Sequence, residues 1–580
     1  MGKTNPAGWL GVVCVCAFLL LPRPSYAADP GLVGYWKLQG DSKDYSGQGR
    51  HGQNHHADLT TGRFNGKGSF VEVADDPAFR FGTGEFSISA WVFTERDMHA
   101  VIGDVLSKYD PVRRQGINLT LNASAPGYNS TSNARYVQFG VDDDRPGTWR
   151  DCGRPGGKTH NSDALTVFQG SLYAGTTDAP GEENWAHVFR YKAEQNWEDC
   201  GRVGQRRTRG VYALVVHDKA LYAATSASHG PQPKTMDFGR VYRYKGGKEW
   251  EDLGQPGSNY RLNGLASYKG KLYVCGFNIG SVPGHCYVYE GDKRWRECGQ
   301  FDGWPHTLAV HDGKLYTAYP KGEVFAYDGS RWDNLGNPLG SLKECNQIHS
   351  LGVFRGELHA GIWPKGKVAV FRKGKWVDAD RLGDAIEVIA LTVYNGCLYA
   401  GTIPRAEVFR FEEEKGWTSV RRLFDPQGFQ PVPVGSRDAQ GVADWSRATS
   451  LTVYGGKLFA STGTCYRTQL DRPRPEEVRG KVYAFQAGAN VSHDHDLGDG
   501  WKHLVAIRGK QELTLYVNGR RTASAKVVGK SIDVSNDVPL RIGLGQLAPF
   551  SGKIREVRLY NRALDEDDIR RLSRGLEGRR

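Results

Sequence analysis

Short runs that alternate apolar and polar side chains open the chain. Residues 64–73 read Phe-Asn-Gly-Lys-Gly-Ser-Phe-Val-Glu-Val and residues 86–92 read Phe-Ser-Ile-Ser-Ala-Trp-Val, the period-two pattern of strands with one buried face. Gly34-Tyr35-Trp36-Lys37-Leu38 gives an earlier strand signal, followed by a glycine-punctuated turn from Asp44 to Gly52. The same pattern returns far downstream, at 501–505, 513–517, 540–543 and 551–564, with Asn518-Gly519 as a hairpin turn.

Between these stretches a different unit recurs about every 40 to 60 residues, the period of propeller blades. Each copy carries a Leu-Thr-Val-Tyr-like run, a Gly-Lys-Leu-Tyr-like run, a Val-Tyr-Arg-Tyr-like run and a Trp-x-Asp-x-Gly-like run. The second run recurs with Leu172, Leu221, Leu272, Leu315, Leu358, Leu398 and Leu458, and the Trp of the fourth with Trp149, Trp197, Trp250, Trp295, Trp332, Trp376 and Trp417. Both series have seven members, but the first Trp precedes the first Leu. A ring of four-stranded blades closes most simply if the leading strand pairs with the last blade, so residues 148–151 are expected beside 482–485. That closure brings the ends of the insert together, as insertion into another domain demands. The switch of pattern falls within 139–153. The fold class predicted is all-β, a sandwich split by an inserted seven-bladed β-propeller.

Composition agrees, with Gly (74), Tyr (27) and Trp (15) abundant and Met (3) scarce in 580 residues, as suits short, tightly turned, aromatic-packed strands. Lys3, an apolar run over 9–21 and Ser25-Tyr26-Ala27 predict a secretory signal cleaved after about Ala27. The mature chain is therefore expected to be secreted, periplasmic or on the cell surface, with no transmembrane segment left after cleavage. Export permits disulfides, and Cys275 and Cys286 flank a hairpin turn that a bridge would close. Cys152, Cys200 and Cys298 each follow a repeat Trp by three residues, where sister repeats carry Leu253 and Leu335; buried apolar thiols are expected there. The net charge of +12 favours an acidic polysaccharide or anionic surface as partner. Nothing suggests a nucleic-acid module.

The outer segments resemble the laminin G-like, concanavalin A-like jelly-roll family. The Asp-x-Ser-Gly turn at Asp44, the Ile-Ser-Ala-Trp-Val strand at Ile88, the Trp-x-His-Leu-Val strand at Trp501, the Leu-Tyr-Val-x-Gly hairpin at Leu515 and the Val-Arg-Leu-Tyr-Asn-Arg-Ala-Leu run at Val557 occur in the family order. The resemblance implies two packed antiparallel sheets, binding of glycans or proteins, and in many members a structural calcium. Arg555 stands where the last strand often carries Asp, and a guanidinium cannot ligate a hard cation, so no cofactor is identified and structural calcium stays an open alternative, with other carboxylates as its ligands. Asp41, Asp44, Asp75 and Asp76 are the remaining carboxylates there. The insert looks kelch-like. The division expected is a signal peptide at 1–27, a first jelly-roll half at 28–144, the propeller at 145–489, a second half at 490–575 and a basic tail at 576–580.

Catalytic signatures of related folds are missing from the sequence. Ser436-Arg437-Asp438 is not followed by the glycine of a sialidase repeat, and no Glu-x-Asp-x-x-Glu strand occurs. Two positions before the first-run Leu, or its equivalent, successive blades place Asp163, Tyr212, Asn263, His306, His349, Ile389 and Thr449. Six of these seven can hydrogen-bond, at the strand end where propeller ligands sit. Asp163, Tyr212, Asn263, His306 and His349, with Trp304 and Trp363 as stacking surfaces, are therefore the expected ligand site, an exposed polar rim to which the fold is indifferent. The function expected is an exported, non-catalytic binder of glycans or of cell-surface protein. A carbohydrate-active enzyme with its site at the propeller mouth and an adhesion scaffold are the alternatives.

Overall fold

A computed structural model describes residues 1–2, 29–97, 102–122, 130–177, 186–204, 208–226, 238–277, 283–319, 321–425, 446–464, 478–527 and 531–574. Apart from residues 1 and 2, the expected signal peptide lies outside the described residues, as does the basic tail. Regular structure in the described chain is nearly all strand, with one α-helix among the described residues.

Both ends of the chain build one sandwich, and their strands interleave. In the first sheet Phe86–Thr94 lies between Ser551–Tyr560 and Gly500–Arg508. In the second, Leu540–Ile542 lies between Phe70–Val73 and Gly103–Asp110. Each half thus supplies ladder partners that the other lacks. Phe86, Ile88, Ala90 and Val92, alternate residues of one strand, enter a shared core with Trp36, Phe139 and Leu504. The helix Glu566–Ser573 starts at Asp565, whose carboxylate accepts from the Asp568 amide. Its Ile569 and Leu572 cover Val505 and Ile507 on the other side of the first sheet. Around the calcium candidates, Asp44 accepts from the Tyr35, Ser46 and Arg50 amides, Asp75 pairs with Lys108 and Arg80, and Asp76 pairs with Arg50.

The insert forms seven four-stranded antiparallel blades. Their inner strands are Asn161–Phe168, Gly210–His217, Arg261–Tyr268, Thr307–His311, Cys345–Phe354, Glu387–Tyr394 and Ser446–Tyr454. The last blade takes its outer strand from the start of the insert: Thr148–Asp151 pairs with Val482–Gln486, Trp149 opposite Phe485, the expected closure. Just outside it, Tyr136–Asp143 pairs with Ala489–His493 of the sandwich. The two pairs follow one another along the same two chain segments, so a double-stranded connection leads from sandwich to propeller. Cys275 and Cys286 stand directly opposite each other as buried free thiols. Cys152 and Cys200 are buried in the apolar layer between blades, and Cys298 packs half-buried there.

The recurring Trp has a specific task. The indole Nε1 of Trp197, Trp250, Trp295, Trp332, Trp376 and Trp417 donates to the main-chain oxygen of Cys152, Cys200, Leu253, Cys298, Leu335 and Ala379, at 2.8 to 3.1 Å. Each acceptor lies three residues after the Trp of the preceding blade, so every bond ties one blade to the next. Each indole also packs on an aromatic of its own third strand, as Trp250 does on Tyr244 at 4.9 Å. The seventh bond is missing: Trp149 packs on Phe485, but its buried Nε1 has no hydrogen-bond partner. The junction between blades six and seven therefore lacks the tie that the others have.

At that junction the sandwich holds both blades. Asn395 of blade six donates to the Val141 and Ala487 oxygens, and Tyr394 accepts from Asn490 while donating to the Gly456 oxygen of blade seven. The Gly455 and Gly456 amides donate to Asp494 and Ser492. The turns that end the inner strands of blades one, four and five also meet the sandwich, through Gly170 to the Asp494 oxygen, Asp312 to Lys67 and Arg355 to Gln546. Ser130–Thr131, a sandwich segment, pairs in parallel with Leu265 and Ala266 inside blade three. The sandwich thus caps the face of the propeller where inner strands end. Gly140 is required at the contact, since a Cβ there would lie 2.1 Å from Asn490 Oδ1 and 2.2 Å from Asn395 Oδ1.

Because Trp250 donates to the preceding blade and Trp149 does not, their substitutions are expected to differ in cost. Trp250→Phe removes one indole–carbonyl bond and is expected to cost about 1 kcal/mol beyond the change in ring size. Trp149→Phe removes no such bond and is expected to cost measurably less. Urea unfolding of the two variants checks this, and equal losses would show that the bonds carry no inter-blade stability.

Candidate functional site

The expected ring positions share a backbone feature. In six blades the strand register slips at that residue: across Ser162/Ala164, Val211/Ala213, Leu262/Gly264, Ile348/Ser350, Val388/Ala390 and Ala448/Ser450. Asp163, Tyr212, Asn263, His349, Ile389 and Thr449 are therefore bulge residues, opposed by no partner in the ladder, the device that re-aims a side chain beside a site. His306 occupies the same place just before Thr307–His311, with its amide bonded to the Ala318 oxygen. All lie at the start of the inner strands, the face opposite the sandwich.

Their side chains join across blades. Arg261 Nε donates to Asn263 Oδ1 at 2.5 Å, and Asn263 Nδ2 lies 3.0 Å from His306 Nδ1. His306 stacks on His349 with ring centroids 4.3 Å apart. His349 Nδ1 is 3.0 Å from Glu387 Oε1, and its Nε2 is 2.8 Å from Gln347 Oε1. On the other flank the Arg261 guanidinium lies 4.2 Å from the Tyr212 ring centroid. Thr449 Oγ1 donates to the Ser162 oxygen, joining blade seven to blade one. Trp304 lies against Phe277 rather than open, with ring centroids 5.4 Å apart and planes 11° from parallel.

Charge is concentrated here. Burial pushes the Glu387 carboxyl up, but His349, Arg447 and Arg261 outweigh it and hold the group below its ordinary value. Burial also raises Asp163, and the Thr177 hydroxyl and Arg261, Arg447 and Arg209 only partly offset it. The Asp163 side chain is 4% exposed and its Oδ2 accepts no hydrogen bond. The two histidines are buried as well, at 5% and 9% exposure. The exposed rim expected from the sequence is thus corrected to a buried network, in which Asn263, His306, His349 and Thr449 are drawn onto partners from neighbouring blades.

Sequence reasoning brought five of these groups together but missed their charged companions. Arg261, Gln347, Glu387 and Arg447 each stand two residues before a ring position, which on a regular strand is the same face. That one-period step was the available signal. Arg209, three residues before Tyr212, follows no such rule. Ile389 belongs instead to a small apolar cluster with Ile386 and Ile403. Trp363, expected as a stacking surface, sits half-buried in Glu357–Pro364 opposite Gln347.

A cavity of about 20 Å³ lies elsewhere, between the sandwich and blade six, lined among others by Asp104, Asn118, Gln138, Asn395, Asn490 and Gln546. Such a space holds a water or two and no sugar ring. Its polar walls are the outward residues of the second sheet, so the propeller covers that part of the sandwich. Asp104 is wholly buried; its Oδ2 accepts the Leu547 and Ala548 amides, while Oδ1 has no protein partner. Burial pushes its carboxyl up to about 7 against those two bonds. From about 3.8 to about 7 the unfolded group is ionised while the folded one keeps its proton, so stability falls as pH rises through that window. Asp104→Asn is expected to stabilise the protein by on the order of 2 kcal/mol at pH 8 and to change little near pH 4. Thermal unfolding across pH checks this, and an unchanged pH profile would refute it.

A family model described as the concanavalin A-like lectin/glucanases superfamily matches residues 432–570. The match is to a concanavalin A-like domain, and of its described strands those from Ala489 onward lie in the sandwich, whereas Ser446–Tyr454, Lys457–Thr464 and Val482–Gln486 pair within the last blade. Comparison with curated proteins finds no match. Among solved structures, a catalytically inactive virginiamycin B lyase from Staphylococcus aureus with quinupristin shares 9% identity, covering 59% of this chain and 99% of that one at a TM-score of 0.43. The WD40 propeller domain of Doa1 shares 10% over 58% and 98%, with a TM-score of 0.36. YCF48 from Cyanidioschyzon merolae shares 12% over 58% and 98%, with a TM-score of 0.37. TM-scores this low carry no argument about function. No helix among the described residues is long and apolar enough to cross a membrane, which says nothing of β-barrels.

Proposed function

We propose that this is an exported, non-catalytic binding protein for glycans or glycan-bearing cell-surface material, with its ligand site at the propeller hub. In this reading residues 145–489 form a kelch-like propeller inserted between jelly-roll halves at 28–144 and 490–575. The observation that carries it is the polar network at the hub, where Asn263, His306, His349 and Thr449 meet partners on neighbouring blades. Polar residues held at bulges on a rigid ring make a preorganised surface for hydroxyl-rich ligands. The covered second sheet of the sandwich favours the hub over the lectin-like sheet as the binding surface. A glycan-active enzyme is the second reading, favoured by the His349–Glu387 pair, an imidazole oriented by a carboxylate.

A glycan array with the mature protein tests binding, and Tyr212→Phe and His306→Gln are each expected to weaken a responsive glycan at least about tenfold. Undiminished binding by both folded variants would place the site elsewhere. Release of shortened product from that glycan would establish the enzymatic reading instead. The proposed boundaries have their own check: replacing residues 146–488 by a short Gly-Ser turn is expected to leave a soluble sandwich that unfolds cooperatively by circular dichroism. A non-cooperative product would overturn the insertion boundaries.

A further inference from the structure

The sandwich keeps one face that the propeller does not cover. The outer side of the first sheet lies across the core from the covered second sheet, and the helix screens only its end around Val505 and Ile507. At the other end three adjoining strands set their outward side chains in rows. Lys553 and Trp501 are both opposite Phe93, and in the next row Arg555 and His503 are both opposite Trp91. Trp91 and His503 form a buried floor, with ring centroids 5.1 Å apart. Phe93, Trp501, Lys553 and Arg555 are partly exposed above it. The Phe93 and Trp501 rings meet at 5.5 Å with planes 61° apart, an open aromatic corner.

Two cations stand on this corner. Lys553 Nζ lies 5.3 Å from the Phe93 centroid, and Arg555 Cζ lies 5.3 Å from the Trp501 centroid. Among the described residues neither is in an ion pair, because the acids that flank the face are engaged elsewhere: Glu95 by Arg63 at 2.8 Å and Glu556 by Arg558 at 2.7 Å. Arg555 is also held in place, its Nη2 donating to the Thr61 oxygen at 3.0 Å. Cations without counter-ions favour an anionic ligand, and a guanidinium matches an oxyanion in paired hydrogen bonds. A bare anion makes no use of the rings, and a neutral sugar makes none of the cations. An acidic sugar meets both, since its C–H face packs on an aromatic ring while its acid projects from the ring edge.

We propose that this end of the first sheet binds an acidic saccharide, one sugar ring packed on Trp501 and Phe93 and its carboxylate or sulfate held by Lys553 and Arg555. The site goes beyond the hub reading and does not depend on it.

The test is titration calorimetry of the full mature chain with four probes: an oligomer of galacturonic acid, its fully methyl-esterified form, a sulfated galactan oligomer and inorganic polyphosphate. At least one of the two acidic oligomers is expected to bind about tenfold or more tightly than the ester and than polyphosphate, and to weaken with added salt; the tighter of the two names the acid. Lys553→Gln with Arg555→Gln is expected to erase that preference, while Lys553→Arg with Arg555→Lys retains most of it. Trp501→Leu is expected to weaken the acidic oligomer about tenfold, and melting curves confirm that each variant is folded. Equal affinity for acid and ester, polyphosphate binding as tight as the acidic oligomers, or a preference that survives the double Gln variant overturns the inference. A preference lost in His306→Gln but kept in the double Gln variant places the anion at the hub, overturning this site and leaving the hub reading standing. Dimerisation in sedimentation that Trp501→Leu abolishes shows a second copy covering the face and also overturns it, as does binding of none of the probes.

Discussion

The bond from six of the seven outer-strand indoles to the preceding blade is the constraint on which the propeller rests. Sheets packed face to face are free to slide, because apolar contacts are non-directional. A donor with one acceptor fixes the offset, and six such bonds repeat it around the ring. The hub depends on that offset. Asn263 meets His306, and His306 meets His349, only if consecutive blades keep the same height and angle. A slip of one residue would turn these side chains to the other face of the inner strand.

The junction without the bond is where the second fold intervenes. Blades six and seven share an apolar layer around Tyr399, Leu451 and Phe485, and beside the direct bonds from Tyr394 to the Gly456 oxygen and from the Ala406 amide to the Ser446 oxygen, direction comes from Asn395, Asn490 and Ser492, two of which lie on sandwich strands. The sandwich is thus part of the ring's fastening as well as a neighbour resting on it. Its second sheet gives up an open polar face in exchange, and Asp104, whose Oδ1 has no protein partner, marks where that face was closed with one polar atom too many.

Much of this architecture was legible in the chain. The Trp and Leu-Tyr series counted the blades, and their offset placed residues 148–151 beside 482–485, though not the register that sets Trp149 opposite Phe485. The jelly-roll strands were legible because Ile88, Trp501 and Val557 lie in strongly patterned runs. What period and spacing could not show was the bulge: an extra residue leaves no mark in composition, yet it decides where Asp163 and His349 point. Nor could they show burial. An Asp or His at a strand end reads as solvated until the neighbouring blade supplies Arg261 or Glu387, and those partners lie far away in sequence. The cover over the second sheet was invisible for the same reason, since Asn118 and Gln138 look like any outward polar residues.

The interleaving of strands also sets the order in which the molecule can be completed during synthesis. Thr148–Asp151 emerges early and waits for Val482–Gln486, while Phe86–Thr94 waits for Gly500–Arg508 and Ser551–Tyr560. A nascent chain that stops before Val482–Gln486 carries two unfinished cores, and one that stops between there and Ser551–Tyr560 still leaves the sandwich unfinished, with the apolar faces of Phe86, Ile88 and Phe139 uncovered. Vectorial folding, in which early domains settle first, is denied to both units. A fragment that ends before Ser551–Tyr560 therefore leaves a sandwich core open to chaperones and proteases.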